Sequence, residues 1–382
     1  MVIVNNLIFL IICIFYLLLI KVEKKNQLYT FLLFSLVIGL FLNFEGHEAD
    51  ITRYLMLPLL VKDLPFIEIL KGDDFLLQLL AKIVSYFTTD PRFFAIVVSI
   101  VYMLVFRKLL DVVLYNTSSH KKTIISWALS LLLIYPFANI NGLRFALATV
   151  FYLWCVLEFF INNDKRFLYW VWLTPFIHFS YWFLITLPFL SILLRKRLAL
   201  AIVIMILTFF ISSVNVSIGI NDYVSRYFSE SIAEHTSLYA SEEGLDYMND
   251  RYSIDYTVRT VRGKIAYSIF PVKNYIIGSA ILLISFLGIK KIKAKEHECQ
   301  LTVLILLAFS YANIASSVSN GIRFYSTATA LTVYIIYYLL FDKRETINNS
   351  SYSVVLSKLI MVTAIIAGLL SLFASRYLWF IY

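Results

Sequence analysis

The apolar residues of this chain come in long unbroken runs divided by short polar breaks, without the strict alternation of a lipid-facing β-strand. That pattern predicts membrane-spanning α-helices and excludes a closed β-barrel. A run of about 19 residues at 1.5 Å per residue reaches roughly 28 Å, the thickness of a hydrocarbon core. About ten runs read as full spans: near Val2 to Ile20, Leu28 to Phe44, Arg92 to Phe106, Thr123 to Ile140, Leu143 to Ile161, Leu198 to Ile218, Asn274 to Ile289, Gln300 to Val318, Ile322 to Phe341 and Ser353 to Ser375. Two stretches depart from the pattern. Phe75 to Phe87 holds about 13 residues interrupted by Gln78 and Lys82, too short to cross, and predicts a re-entrant or interfacial helix. Residues 167–194 lie between two basic clusters and are too short for two crossings of about 20 residues each. They predict a broken-helix hairpin with its apex near Pro175, His178 and Ser180, whose freed backbone must be buried in protein or line a wet cavity. The expected architecture is an all-α polytopic integral membrane protein, one transmembrane domain over residues 1–382.

Composition sharpens the class. The chain is 60% apolar and 15% charged, with a mean hydropathy of +0.81, which excludes a soluble domain. A net charge of +9 would suggest nucleic acid elsewhere. Here Lys and Arg gather in short segments such as Lys21 to Lys25, Arg107-Lys108, Arg195-Lys196-Arg197 and Lys290 to Lys295, so the charge sets topology and implies no nucleic-acid partner. The first run lacks a basic leader and is followed by Lys21, which predicts an anchor with its N-terminus outside and no cleavable signal peptide. Following loop charge places both termini outside, with external loops at about 45–74 and 219–273. Cys13, Cys155 and Cys299 show no paired spacing, so no disulfide framework, zinc site or other metal site is predicted.

One string occurs twice. Asn141-Gly142-Leu143-Arg144-Phe145 and Asn320-Gly321-Ile322-Arg323-Phe324 each open an apolar run, and each run ends in Asp-Lys-Arg, at Asp164 to Arg166 and Asp342 to Arg344. Both openings fall on the external side of the predicted topology. An arginine there can be an interfacial anchor. The glycine before it frees the turn so that backbone amides and a helix N-terminus can face an anion beside the guanidinium. A planar, permanently charged fork suits pyrophosphate oxygens, and two such mouths would make a clamp. The matched spacing also suggests related halves.

Other candidates cluster on the same side. His178 is the histidine set in an apolar run, beside Ser180 and Tyr181, where it could hydrogen-bond a sugar hydroxyl or act as a general base. Asp50, Arg53 and Tyr54 stand where the first external loop re-enters apolar sequence, and a shielded Asp50 could take a proton from an attacking hydroxyl. Asn141, Asn320, Tyr54, Asp73 and Asp74 are weaker candidates for glycan contacts. Seven tyrosines, Tyr223, Tyr227, Tyr239, Tyr247, Tyr252, Tyr256 and Tyr267, fit either an interfacial belt or a carbohydrate platform.

Asp50-x-x-Arg53-Tyr54, Asp73-Asp74-Phe75-Leu76-Leu77, the Asn-Gly-Leu-Arg144 turn, and Phe176-Ile177-His178-Phe179-Ser180 followed by Pro188 resemble the EpsG-type, Wzy-like polysaccharide polymerases over about residues 28 to 345. The resemblance implies a GT-C-like bundle in the bacterial inner membrane and an enzyme that extends O-antigen, capsule or exopolysaccharide. It implies transfer of a growing glycan from undecaprenyl pyrophosphate to a hydroxyl of an incoming lipid-linked repeat unit. It also implies the lipid bilayer as environment, and a chain-length regulator and a flippase of the same pathway as further partners. Arg144, His178 and Asp50 fall on the family's pattern, whereas Arg323 comes from the internal match. The expectation is a metal-independent, cofactor-free glycosyl transfer in which the arginines stabilise the leaving pyrophosphate and His178 or Asp50 activates the acceptor. A lipid-linked oligosaccharide flippase or transporter and a glycan ligase are the alternatives.

Overall fold

The computed structural model describes residues 54–72, 75–114, 143–211, 261–287, 296–315 and 324–341, with 359, 362, 363 and 366. Every element among them is helical, and they divide into two compact units between Pro188 and Phe189. Among the described residues one helix, Arg144–Asn162, is long and apolar enough to cross a membrane. Shorter apolar helices run over Phe75–Ser85, Tyr181–Leu193, Leu198–Phe210, Asn274–Phe286 and Cys299–Ala315. The expected spans near Val2, Leu28 and Thr123 lie outside the described residues, as does nearly all of the one near Ser353.

The first unit begins with three short helices, α1 (Leu57–Val61), α2 (Phe66–Leu70) and α3 (Phe75–Ser85). The first two lie within the stretch expected to be an external loop. Prolines place them: Pro58 sits in the first turn of α1, and Pro65 enters α2 in the extended conformation. Both pack on α3. Lys82 of α3 is buried, and its Nζ donates to the carbonyls of Val61 at 3.2 Å and Lys62 at 2.5 Å. These acceptors lie at the C-terminal end of α1, where carbonyls lack helical partners, so the cation both caps α1 and fastens it to α3. Leu59, Leu60, Ile67, Leu70 and Ile83 stay exposed on this trio, as suits a membrane interface.

α4 (Pro91–Leu114) starts where Asp90 Oδ1 accepts from the Arg92 amide at 2.8 Å and Pro91 takes the first helical position. It packs along α5 (Leu143–Asn162), the central helix of this unit. Asn163, at φ 54°, ends α5 in the left-handed conformation that asparagine tolerates better than most residues. The next turn is held by Asp164, which accepts from the Arg166 amide at 3.1 Å and from its guanidinium at 2.7 Å. The first Asp-Lys-Arg triplet is therefore a chain-reversal device as well as a charge.

The chain then returns along α5 in pieces. α6 (Arg166–Trp170), a 3₁₀ turn at Val171–Leu173 and α7 (Thr174–Ile177) lead to His178, which is extended at φ −151°, ψ 115°. α8 (Tyr181–Leu184) and α9 (Thr186–Leu193) follow. Contacts along α5 give the direction of travel. Phe167 packs on Trp154 near its C-terminal end, His178 on Phe145 at its N-terminal end, and Leu184 accepts from Tyr152 Oη at 3.0 Å on the way back. The turn is satisfied internally: the Tyr181 amide donates to His178 O and the Trp182 amide to Phe179 O, both at 3.0 Å.

The second unit is built on α10 (Leu198–Ile211), α11 (Val261–Leu287), α12 (Glu296–Ala315) and α13 (Phe324–Phe341). α11 begins inside the stretch 219–273, so the end of that expected loop is helical. α12 is central, packed on the other three, and from Cys299 to Ala315 only Tyr311 and Ile314 are less than fully buried. Its serine returns its hydroxyl to its own helix, Ser310 to Leu306 O at 2.8 Å, as Ser285 of α11 does to Ile281 O. A buried hydroxyl is thereby satisfied without a partner helix.

Candidate active site

At the N-terminal end of α5 the sequence makes Arg144 the second residue of an apolar helix, which on its own would leave a cation there uncompensated. Tyr54 resolves this from 90 residues away. The guanidinium carbon lies 4.0 Å from the Tyr54 ring centroid, and Nη2 donates to Tyr54 Oη. Stacking on an aromatic face is worth about 0.5 to 2 kcal/mol, more as the pair is desolvated. Its geometric result matters as much. Held over the ring and bonded to its hydroxyl, the guanidinium is anchored at the helix mouth, where its planar fork suits phosphate oxygens.

Phe145, the next residue, carries the site to the hairpin turn. Its ring meets the His178 imidazole edge-on at 5.4 Å and the Tyr181 ring at 5.4 Å. Thr149, one turn on, donates to Phe145 O at 2.8 Å and shares a 2.5 Å hydroxyl contact with Tyr181. Two buried polar groups thus lock the turn to α5.

His178 Nδ1 accepts from the Ser180 amide at 3.3 Å and lies 2.7 Å from Ser180 Oγ. An amide can only donate, so Nδ1 carries the lone pair and the neutral ring carries its proton on Nε2. In this arrangement Nε2 is the N–H side of the His178 ring. Proton abstraction, one of the two roles open from sequence, would require the other nitrogen.

The structure brings together Tyr54, Arg144 and His178, and it extends the cluster to Ser180, Tyr181 and Thr149. Phe75 packs on Phe176 at 4.9 Å, so the start of α3, which follows Asp73 and Asp74 in sequence, lies beside α7. Asp50, Arg53, Asp73, Asp74, Asn141, Asn320 and Arg323 lie outside the described residues. Among the described residues no three His, Cys, Asp or Glu side chains converge as metal ligands would, and Cys155 and Cys299 are buried. Sequence reasoning passed over a polar group in the second unit. Asn313, in the middle of an apolar run, donates from Nδ2 to Thr208 Oγ1 at 3.3 Å and accepts from Tyr325 Oη at 2.6 Å. A carboxamide within an apolar run was the available signal.

The model of the EpsG family matches residues 26–382, nearly the whole chain. The chain belongs to the EpsG family. This is a Wzy-like polysaccharide polymerase family, which makes the protein a membrane protein and, broadly, a glycosyltransferase-like enzyme with a lipid-linked oligosaccharide substrate. Comparisons with curated proteins and with solved structures returned no match. In this EpsG-family protein Arg144 and His178, the two described residues drawn from both physics and family pattern, stand at one end of one helix.

Proposed function

We propose that this EpsG-family protein transfers a growing glycan from undecaprenyl pyrophosphate to a hydroxyl of an incoming lipid-linked repeat unit, at the external face of the bacterial inner membrane. The observation that carries this reading is the Arg144 guanidinium stacked on Tyr54 at the mouth of α5, with His178 against the next residue. Negative charge grows on the pyrophosphate as the glycosidic bond to it breaks. An oriented guanidinium meets that charge where it develops, and losing one such donor costs about 2.7 to 4 kcal/mol of barrier. Arg323, from the repeated turn, supplies a second cation in this scheme, and Arg53 a third. His178, with its proton on Nε2, donates to a sugar or phosphate oxygen. Asp50 is left as the base that takes the proton of the acceptor hydroxyl. Arginine charge serves as the counter-charge, so no step is routed through a metal ion or a cofactor.

Reconstitution of the purified protein with a defined lipid-linked repeat unit tests the reading. A ladder of products with release of the lipid pyrophosphate is the expected result, and Arg144→Ala should leave single units unextended. Movement of the lipid between leaflets without elongation would sink the polymerase in favour of a flippase. Transfer of one glycan to a non-lipid acceptor would make the enzyme a ligase.

A further inference from the structure

The second unit contains a cavity of about 200 Å³ where the C-terminal ends of α10 and α12, the N-terminal end of α13 and the middle of α11 meet. Asn274 on α11 lines it, is 3% exposed, and has no hydrogen-bond partner at either Oδ1 or Nδ2. The Asn313–Tyr325 pair lines it as well. Phe309 lies fully buried in its wall, while Phe210 and Tyr275, 66% and 48% exposed, stand where it opens. Among the described residues no Lys, Arg, Asp or Glu lines it.

A buried carboxamide with both ends unsatisfied is costly to keep, whereas the buried Ser285 and Ser310 hydroxyls of this unit find carbonyl partners on their own helices. Its two ends also specify what would satisfy it. Oδ1 needs a donor and Nδ2 an acceptor a short distance apart, and neighbouring hydroxyls on a sugar ring supply both: one O–H donates to Oδ1 while the adjacent oxygen accepts from Nδ2. Aromatic walls suit the apolar C–H faces of the same ring. A prenyl chain would fill the space but leave both amide atoms unpaired. A pyrophosphate would lack a cation. The volume corresponds to roughly seven waters at about 30 Å³ each, room for one sugar ring.

We infer that this cavity is a binding site for one uncharged sugar residue of the glycan, held through Asn274 and set between the aromatic walls. The inference rests on the polymerase reading for its choice of ligand and gives it a second substrate site, one that recognises saccharide where the Arg144 cluster recognises charge. A polymerase must hold two lipid-linked glycans at once, and the incoming unit is the one whose reacting end is a sugar hydroxyl.

The test uses the full-length protein in nanodiscs and saturation-transfer NMR with methyl glycosides of the common hexoses, 2-acetamido-hexoses and hexuronic acids as probes. At least one uncharged glycoside should show transfer and the uronates none. Asn274→Leu should abolish that transfer while raising the thermal midpoint, because it removes an unpaired amide; a merely structural asparagine would lower the midpoint. Gly278→Ala is the second variant. A Cβ there meets Met205 Cε and Phe309 ring atoms at 3.5 Å, ordinary contact, so the fold tolerates it while ligand space shrinks. It should weaken glycoside binding at least several-fold. Transfer to no uncharged glycoside, transfer unchanged in both variants, or displacement by a short prenyl alcohol but by no sugar would each overturn the site. The ladder assay separates the two conclusions. Glycoside binding with no ladder defeats the polymerase and leaves the site, whereas a ladder with variant-insensitive binding defeats the site alone.

Discussion

An Asn-Gly-x-Arg-Phe string opens a helix in each unit, yet what packs on the described start of each helix differs. After Arg144, Phe145 packs on His178 and Tyr181, and the guanidinium lies on Tyr54. In the second unit Phe324 packs on Tyr311 at 4.8 Å, Tyr325 bonds Asn313, and the described surroundings form an uncharged aromatic cavity. Sequence similarity over a turn therefore did not dictate the same neighbours for the aromatic residue that follows it. What folds back against the helix did: a broken segment bearing a histidine in the first unit, and an intact central helix bearing an asparagine in the second.

The largest expected effect breaks the comparison on the charged side. Arg144→Ala should lower the polymerisation rate by about 10² to 10³-fold, the range for removal of one preorganised donor, read as loss of the product ladder at unchanged protein level. Arg144→Lys should restore only part of it, because an ammonium neither stacks as a plane nor binds bidentately. If lysine restores full activity, the planar guanidinium fork is not what matters.

Tyr325→Phe tests the uncharged side. It leaves the buried Asn313 carbonyl without its 2.6 Å partner, at a cost of about 1 to 3 kcal/mol, visible as a lowered unfolding midpoint. An unchanged midpoint would mean that Asn313 finds another donor. Tyr54→Phe keeps the ring under the guanidinium and removes only the hydroxyl acceptor, so the loss should be smaller, about 0.5 to 1.5 kcal/mol or several-fold in rate. A loss as large as that of Arg144→Ala would transfer the leading role to the tyrosine hydroxyl.

The smallest effect lies at the chain reversal after α5. The hydrogen bond from Arg166 holds the Asp164 carboxyl below the usual carboxylate range. A carboxyl depressed in the folded state stabilises the fold above its unfolded pKa, and that contribution is lost as the pH falls through the lowered value. The pair sits at the surface, where such contributions are small. Asp164→Asn should leave the unfolding midpoint at neutral pH almost unchanged and slightly reduce its dependence on pH in the acid range.

How much of this was readable beforehand varies by element. The apolar runs, the shortness of the Phe75 segment and the polar interruption around Pro175 and His178 are local properties, so they stand in the composition of a few neighbouring residues. The helices at Leu57–Val61 and Phe66–Leu70 were hidden because five-residue helices carry no period, and acidic residues around them read as loop. Lys82 looked like an interruption of an apolar run, yet its ammonium is consumed by the end of α1. Asp50, Arg53 and Arg323 remain sequence proposals, since they lie outside the described residues.

Membrane class, helical content and family membership followed from the sequence alone, because each is a sum over many positions that no single contact can change. The site required tertiary structure. Tyr54 and Arg144 stand 90 residues apart, His178 reaches Phe145 only through the reversal at Asn163, and the proton on His178 is assigned by one amide of Ser180. The Asn-Gly-x-Arg-Phe string marks where a helix begins and which charge it carries. Which rings and polar groups meet the described start of each helix depends on which distant segment packs beside it, and periodicity carries no information about that choice.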